Sequence, residues 1–323
     1  MSKNVPILVN RRFIRIKVFQ ALYAYHRTAD ADQLKMERSF FESINKLYDL
    51  YLYLLALIIE VEVAAREILE QNKRKNLPTD EDLSPNTRFI DNRVFKALNS
   101  NERLKHLMER SKVSWKEEHD DIRKIFKQFR EDEQFKLYMI REESNLQIDK
   151  EIITYLFREY LGVNDLIHSS LEEKNIYWQD DLPMAAITLM KTIQSIPENA
   201  NENTNLLADL YKNKEEDQLF AKDLFRKAIS FDKEYSDMVS SKADNWETER
   251  IALLDMILMQ MALTELEHFS SIPVKVTLNE YIELAKVYST PKSKVFINGV
   301  LDKLVAEMKR NERINKRGRG LVE

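Results

Sequence analysis

Along most of the chain, apolar positions recur every three or four residues, the spacing that puts them on one side of a helix. The first such segment, "NRRFIRIKVFQALYAY" (Asn10 to Tyr25), carries Ile14, Val18, Ala21, Leu22 and Tyr25 on one stripe, with Asn10 as its cap. An apolar helix follows near Leu47 to Leu69. The stretch "NKRKNLPTDEDLSPN", with Pro78 and Pro85, then predicts a loop. Charged helical patterns resume from Arg93 to Leu161, and another helix is expected near Met184 to Ile193. "SIPENANENTN", Ser195 to Asn205, predicts a turn-rich linker.

The last third is the most regular. Asp244 or Asn245 can cap a helix running from Trp246 to Leu266, apolar on nearly all sides between Ile251 and Leu263 and so expected at the centre of a core. Thr277 and Glu280 predict a capping box for a helix Leu278 to Tyr288, with Leu278, Tyr281, Ile282 and Ala285 as its stripe. Thr290 followed by Pro291 opens one more helix. Gly299 lies inside that helix, where glycine costs about 1 kcal/mol against alanine, and the expectation is that another backbone approaches it closely.

Composition sharpens this reading. Only 4 glycines and 7 prolines punctuate 323 residues, so an all-α fold is expected, and no glycine-rich phosphate-binding motif occurs. The absence of cysteine removes disulfides, thiolate metal sites and a cysteine nucleophile. The five histidines are scattered without a ligand spacing, so no metal and no cofactor are expected. The longest apolar run, Leu50 to Ile59, is about half of a membrane span, and "VPILV" is too short for an export signal; a soluble, cytoplasmic protein is expected.

Charge is unevenly distributed. The net is −4, yet the first 29 residues hold six cations and no acid, and Lys286 to Arg319 hold ten Lys and Arg against three acids. Two basic ends bracket an acidic middle. Three of the N-terminal cations, Arg11, Arg12 and Arg15, occupy the first turn or so of a helix, where the partial positive charge of the helix start disfavours them. Something must offset that, and bidentate contacts to phosphate are one candidate.

Three motifs in order carry a family resemblance. "PVKVTLNEYIELAKVYSTPKSKVFINGVLDKL", Pro273 to Leu304, resembles the C-terminal signature of the transcription antitermination factor NusB family; "WETERIALLDMILMQMALTEL" and "RRFIRIKVFQALYAY" resemble two of its earlier motifs. The resemblance covers about Asn10 to Arg27 and Leu219 to Met308. It implies a NusB-like helical bundle enlarged by an inserted helical region, divided as 1–27 (RNA-binding helix), 28–218 (insertion), 219–308 (C-terminal part of the core) and 309–323 (basic tail).

The resemblance further implies a protein without catalysis. It would bind single-stranded boxA-type RNA and pair with NusE, a small-subunit ribosomal protein, on the RNA polymerase elongation complex during ribosomal RNA transcription. Carried onto this chain, the RNA-binding positions are Arg11, Arg12, Arg15, Gln20, Tyr23 and Phe296, and the partner-binding position is Asp255. Gln260 stands where many members have arginine, and Ile14 where they have alanine. Read without the family, Lys17 is expected to be solvated, and the alternative function is a protein-interaction scaffold whose acidic insertion docks another partner.

Overall fold

The computed structural model describes residues 5–242 and 251–317. Its helices are α1 (Arg11–Arg27), α2 (Gln33–Lys73), α3 (Asp80–Leu83), α4 (Arg93–Ser100), α5 (Glu102–Arg110), α6 (His119–Glu131), α7 (Glu133–Ile140), α8 (Leu146–Leu156), α9 (Asp165–Lys174), α10 (Leu182–Ser195), α11 (Lys214–Ser230), α12 (Asp232–Ser240), α13 (Leu253–His268), α14 (Val274–Tyr288) and α15 (Pro291–Arg310). The all-α expectation holds apart from two three-residue strands, β1 (Ile7–Val9) and β2 (Asp209–Tyr211), which pair with each other. The "VPILV" run is therefore strand-forming, as its β-branched residues favour.

The chain divides into two compact units, one of Met1–Leu8 with Ser43–Leu210, the other of Val9–Glu42 with Tyr211–Glu323. The borders thus fall within α2 and at β2, rather than after residues 27 and 218. α2 is a 41-residue helix, longer than the apolar stretch 47–69, because its first turns are amphipathic and belong to the second unit.

In the first unit, the Ser43–Lys73 part of α2 buries a nearly continuous series from Leu47 to Val61. The indoles of Trp115 and Trp178 donate to the carbonyls of Tyr53 and Lys46, both at 2.8 Å, so the polar edges of these buried rings are satisfied. Phe89, Phe126, Phe129 and Phe135 form a second cluster. The expected loop at 72–86 contains α3, for which Thr79 and Asp82 form a capping box. After α8 the chain widens into a π turn, Phe157–Leu161, which ends at Gly162. This turn brings Tyr155 and Tyr160, five apart, onto one carboxylate: both hydroxyls donate to Asp132 Oδ2, at 3.1 and 2.7 Å.

In the second unit, α13 is central, with α1, α11, α12, α14 and α15 packed against it. Residues 257–266 are all buried, the outcome expected of a helix apolar all round. It begins at Leu253, later than the sequence pattern suggested; the caps Asp244 and Asn245 lie outside the described residues.

α14 starts a turn early, at Val274 behind Pro273, so the Thr277–Glu280 capping box does not form. Both side chains turn to other partners instead. α15 begins as expected, with Thr290 accepting from the Ser293 amide and Pro291 at its first position. A Cβ on Gly299 would meet no atom within 4 Å, so no backbone approaches it.

Candidate nucleic-acid interface

The start of α1 is built around its cap. Asn10 Oδ1 accepts from the Phe13 amide at 2.8 Å, which fixes the first turn. Phe13, Ile14, Val18, Phe19 and Leu22 then face the core, a wider buried face than the expected stripe. Lys17 is buried too, its ammonium 5.4 Å from the Phe13 ring, and is not the solvated residue expected.

Three carboxylates from three other helices meet the three arginines. Arg11 Nε lies 2.9 Å from Asp217 of α11, and its guanidinium sits over the Phe220 ring at 4.4 Å. Arg12 donates through Nε and Nη2 to both oxygens of Glu280 on α14, at 2.9 and 2.7 Å. Arg15 makes the same two-pronged contact with Glu265 on α13, at 2.7 and 2.8 Å. The unfavourable charge at the helix start is thus offset inside the protein.

These pairs differ in burial. Arg15 is 3% exposed and Glu265 is fully buried. The remaining lone pairs of Glu265 accept from Thr277 Oγ1 at 2.8 Å and the Tyr281 hydroxyl at 3.2 Å, so the buried charge is fully hydrogen-bonded. Burial opposes the charge on Arg15, but the hydrogen bonds and charge of Glu265 outweigh it and hold the guanidinium above its ordinary pKa. Burial and the Glu265 charge together push the Tyr281 phenol well up. The hydrogen bond from Arg12 holds Glu280 below the usual carboxylate range, with the nearby Arg15 helping.

Arg15 was expected at an RNA contact; its geometry is instead that of a core ion pair, because Nε and Nη2 are turned onto Glu265 and Nη1 lies 3.7 Å from Glu280. The side chains of Arg11 and Arg12 are 39% and 51% exposed. Nη1 of Arg12 points to no acceptor in the Glu280 pair and can serve an outside oxygen. Gln20 is half-buried and Tyr23 is 40% exposed, both on the outer side of α1 that begins with Arg12 and continues to Arg27. Phe296 is half-buried on a different helix, α15.

Asp255, expected at a partner surface, is 5% exposed in the first turn of α13, where it accepts from the Ser289 hydroxyl. An acid there favours the helix start, and burial keeps it from direct contact with a partner. Gln260 is also inward, donating to Asp232 and to Ser236 Oγ at 2.5 and 2.8 Å.

The basic tail is partly committed. Arg313 binds both oxygens of Glu267 and one of Glu234, while Lys316 donates to the carbonyls of Glu265 and Phe269 at the end of α13. Burial pulls the Lys316 ammonium down to about 8, against the opposing charge of Glu265. Lys309 and Arg310 remain exposed, and residues beyond 317 lie outside the described set.

The acceptors Asp217, Glu265 and Glu280, and the hydroxyls of Thr277 and Tyr281 that donate to Glu265, are the partners that sequence reasoning did not assign to the arginines. Their signal was present: Glu265 interrupts the apolar run of α13, as Asp255 does, and Thr277, Glu280 and Tyr281 share one face by their spacing. Among the described residues, no three His, Asp or Glu side chains are grouped as a metal site, and no helix is long and apolar enough to cross a membrane.

Against known proteins, residues 184–306 match the model of the NusB family. The match begins inside the stretch assigned to the insertion and does not include α1. The chain is 46% identical over 103 residues to the transcription antitermination protein NusB of Salinibacter ruber, covering 32% of this chain and 64% of that protein. It is 46% identical over 85 residues to that of Chloroherpeton thalassium, covering 26% and 40%, and 38% identical over 89 residues to that of Geobacter sulfurreducens, covering 28% and 64%. The chain therefore spans between two-fifths and just under two-thirds of the length of these curated relatives. No solved structure matches it.

Proposed function

Because residues 184–306 match the NusB family model, we propose that this chain is an RNA-binding transcription antitermination factor and not an enzyme. In this reading it acts in the cytoplasm with NusE, on the RNA polymerase elongation complex, by binding boxA-type single-stranded leader RNA during ribosomal RNA transcription. The relatives' shared name, transcription antitermination protein, supports the role. The observation that carries the RNA contact is the outer side of α1, where Arg11 and Arg12 keep accessible guanidinium edges and Tyr23 offers an exposed ring. Arginine edges suit phosphate oxygens, and an aromatic face suits an unstacked base. Phe296 and Gln20 supplement them. Arg15 acts here by fixing α1 on α13, and Asp255 by holding the start of α13, so neither is assigned a direct contact.

The test is RNA affinity at several salt concentrations. Arg11→Ala with Arg12→Ala should weaken binding and flatten log affinity against log salt by about 1.4, at about 0.7 per lost single-strand phosphate contact. The Arg12–Glu280 pair is partly exposed and worth about 0–1 kcal/mol, and the buried Asp217 keeps its hydrogen bond from the Asn213 amide when Arg11 is removed, so the thermal midpoint should fall only modestly. An unchanged slope would remove α1 from the RNA contact. The scaffold reading would then gain ground, and the unit of 1–8 with 43–210 favours it by its charge: 24 Lys and Arg against 31 Asp and Glu.

A further inference from the structure

In the acidic unit, α6 carries a basic row. His119, Arg123, Lys127 and Arg130 are four, four and three residues apart, which places them along one side of the helix, flanking the buried face of Ile122, Ile125, Phe126 and Phe129. The row lies along the end of α2, since Arg123 donates to Gln71 there, and Arg74 is one turn further on. Its two ends differ. His119 sits between Glu60 and Glu67, whereas Arg74, Lys127 and Arg130 have no carboxylate at ion-pair distance among the described residues. The nearby Glu70 pairs with Lys73, and Glu131 with Lys136.

Beside this unpaired end is a cavity of about 240 Å³, which Arg130 also lines. Its apolar wall includes Phe89, Phe126 and Phe135, the first two stacked at 5.2 Å, and its polar rim includes Asn72, Asn86, Glu81 and Asp82, the last paired with Lys75. An aromatic-walled recess beside cations outside any close ion pair is the combination that holds single-stranded nucleic acid, with bases against rings and the backbone along the charges. Glu81 at the rim would repel an acidic side chain but can accept from the N–H groups of a base edge.

We propose that this cavity takes a base of single-stranded RNA while the adjoining phosphates lie on Arg74, Lys127 and Arg130. The site accompanies the RNA-binding reading but stands on a different unit from α1, so each can fail alone.

The experiment uses the full chain and a short fluorescein-labelled single-stranded RNA carrying 4-thiouridine. Binding is followed by anisotropy against salt, and photocrosslinks are mapped by peptide mass spectrometry, in the native background and in Arg11→Ala/Arg12→Ala. Crosslinks to the segment bearing Phe126 and Phe135 are expected in both backgrounds. They should vanish in Lys127→Glu/Arg130→Glu, with the salt slope flattened by about 1.4. If circular dichroism shows that this variant has lost helix, Arg74→Ala, on an exposed final turn, should still flatten the slope by about 0.7. Crosslinks confined to α1 with unchanged slopes would overturn this site and leave the α1 reading standing. No crosslink anywhere and no measurable affinity would overturn both.

Discussion

The first turn of α1 and the basic row of α6 read alike in sequence: cations at helical spacing on an amphipathic helix. Their surroundings make them different objects. At α1 each arginine meets a carboxylate from a helix distant in sequence, Asp217, Glu265 or Glu280. At the far end of α6 Lys127 and Arg130 have no carboxylate at ion-pair distance among the described residues, although that unit is the more acidic of the two. Availability for a ligand is therefore decided by the acids that folding brings up, and local cation density does not report it. It also varies within one turn, since Arg12 is half exposed and Arg15 is sealed.

The sharpest break between α1's own arginines should come from Arg15→Ala. Removing one partner of a buried pair strands the other charge, and Glu265 would lose two of its four hydrogen bonds in a site without water access. A loss of about 3–5 kcal/mol is expected in urea unfolding, against less than about 1 kcal/mol for Arg12→Ala. If the two variants unfold at the same urea concentration, burial does not separate these residues, and the division between a structural and a ligand-facing arginine fails.

The same contrast explains what was legible beforehand. Periodicity, caps and apolar runs are local, so α1 with Asn10, α15 with Thr290 and Pro291, and the central place of α13 could all be read directly. The Thr277–Glu280 box was also a correct local pattern, but a tertiary demand displaced it: the two side chains serve Glu265 and Arg12. Asp255, carried over from the family resemblance as a partner contact, proved to be the acceptor of an internal hydrogen bond from Ser289. The motif positions in α1 gave the right helix, yet which arginine faces outward depends on partners some 200 residues away.

Two glycines, Gly162 at the close of a helical turn and Gly299 inside α15, apply the comparison to a single residue type. A Cβ at Gly162 would lie 3.1 Å from the Phe157 carbonyl oxygen and 3.2 Å from its ring, at the close of the π turn that orients Tyr155 and Tyr160. Gly162→Ala should cost about 1–3 kcal/mol. At Gly299 the added methyl meets open space, and relief of glycine's helix penalty should stabilise the second unit by about 1 kcal/mol. Opposite signs in chemical denaturation are expected. A loss at Gly299→Ala would mean that its face is covered in the folded protein after all.

The smallest effect should come from the paired end of α6, where the comparison can be made within one helix. His119 Nδ1 lies 2.6 Å from Glu60 and Nε2 lies 2.9 Å from Glu67, an arrangement that only the doubly protonated ring can satisfy on both sides. The hydrogen bond to Glu60 raises the imidazole pKa above its ordinary 6.5, partial burial opposes it, and Glu67 adds to the rise. Asp120 beside it on α6 has the same sign of influence, and Arg123 one turn on the opposite sign. A raised folded-state pKa means that the bridge's stabilisation is fully present below about pH 6.5, the unfolded-state value, and is lost as pH rises through the folded-state value. Urea midpoints measured upward from pH 6 should therefore fall in the native protein and fall less in His119→Gln, by an amount below about 1 kcal/mol because the site is partly exposed. Replacing Lys127 by glutamine should leave that pH dependence unaltered, since no carboxylate lies at ion-pair distance from it among the described residues. If His119→Gln keeps the native slope, the two glutamates do not hold a charged ring, and the distinction between the paired and unpaired ends of α6 loses its basis.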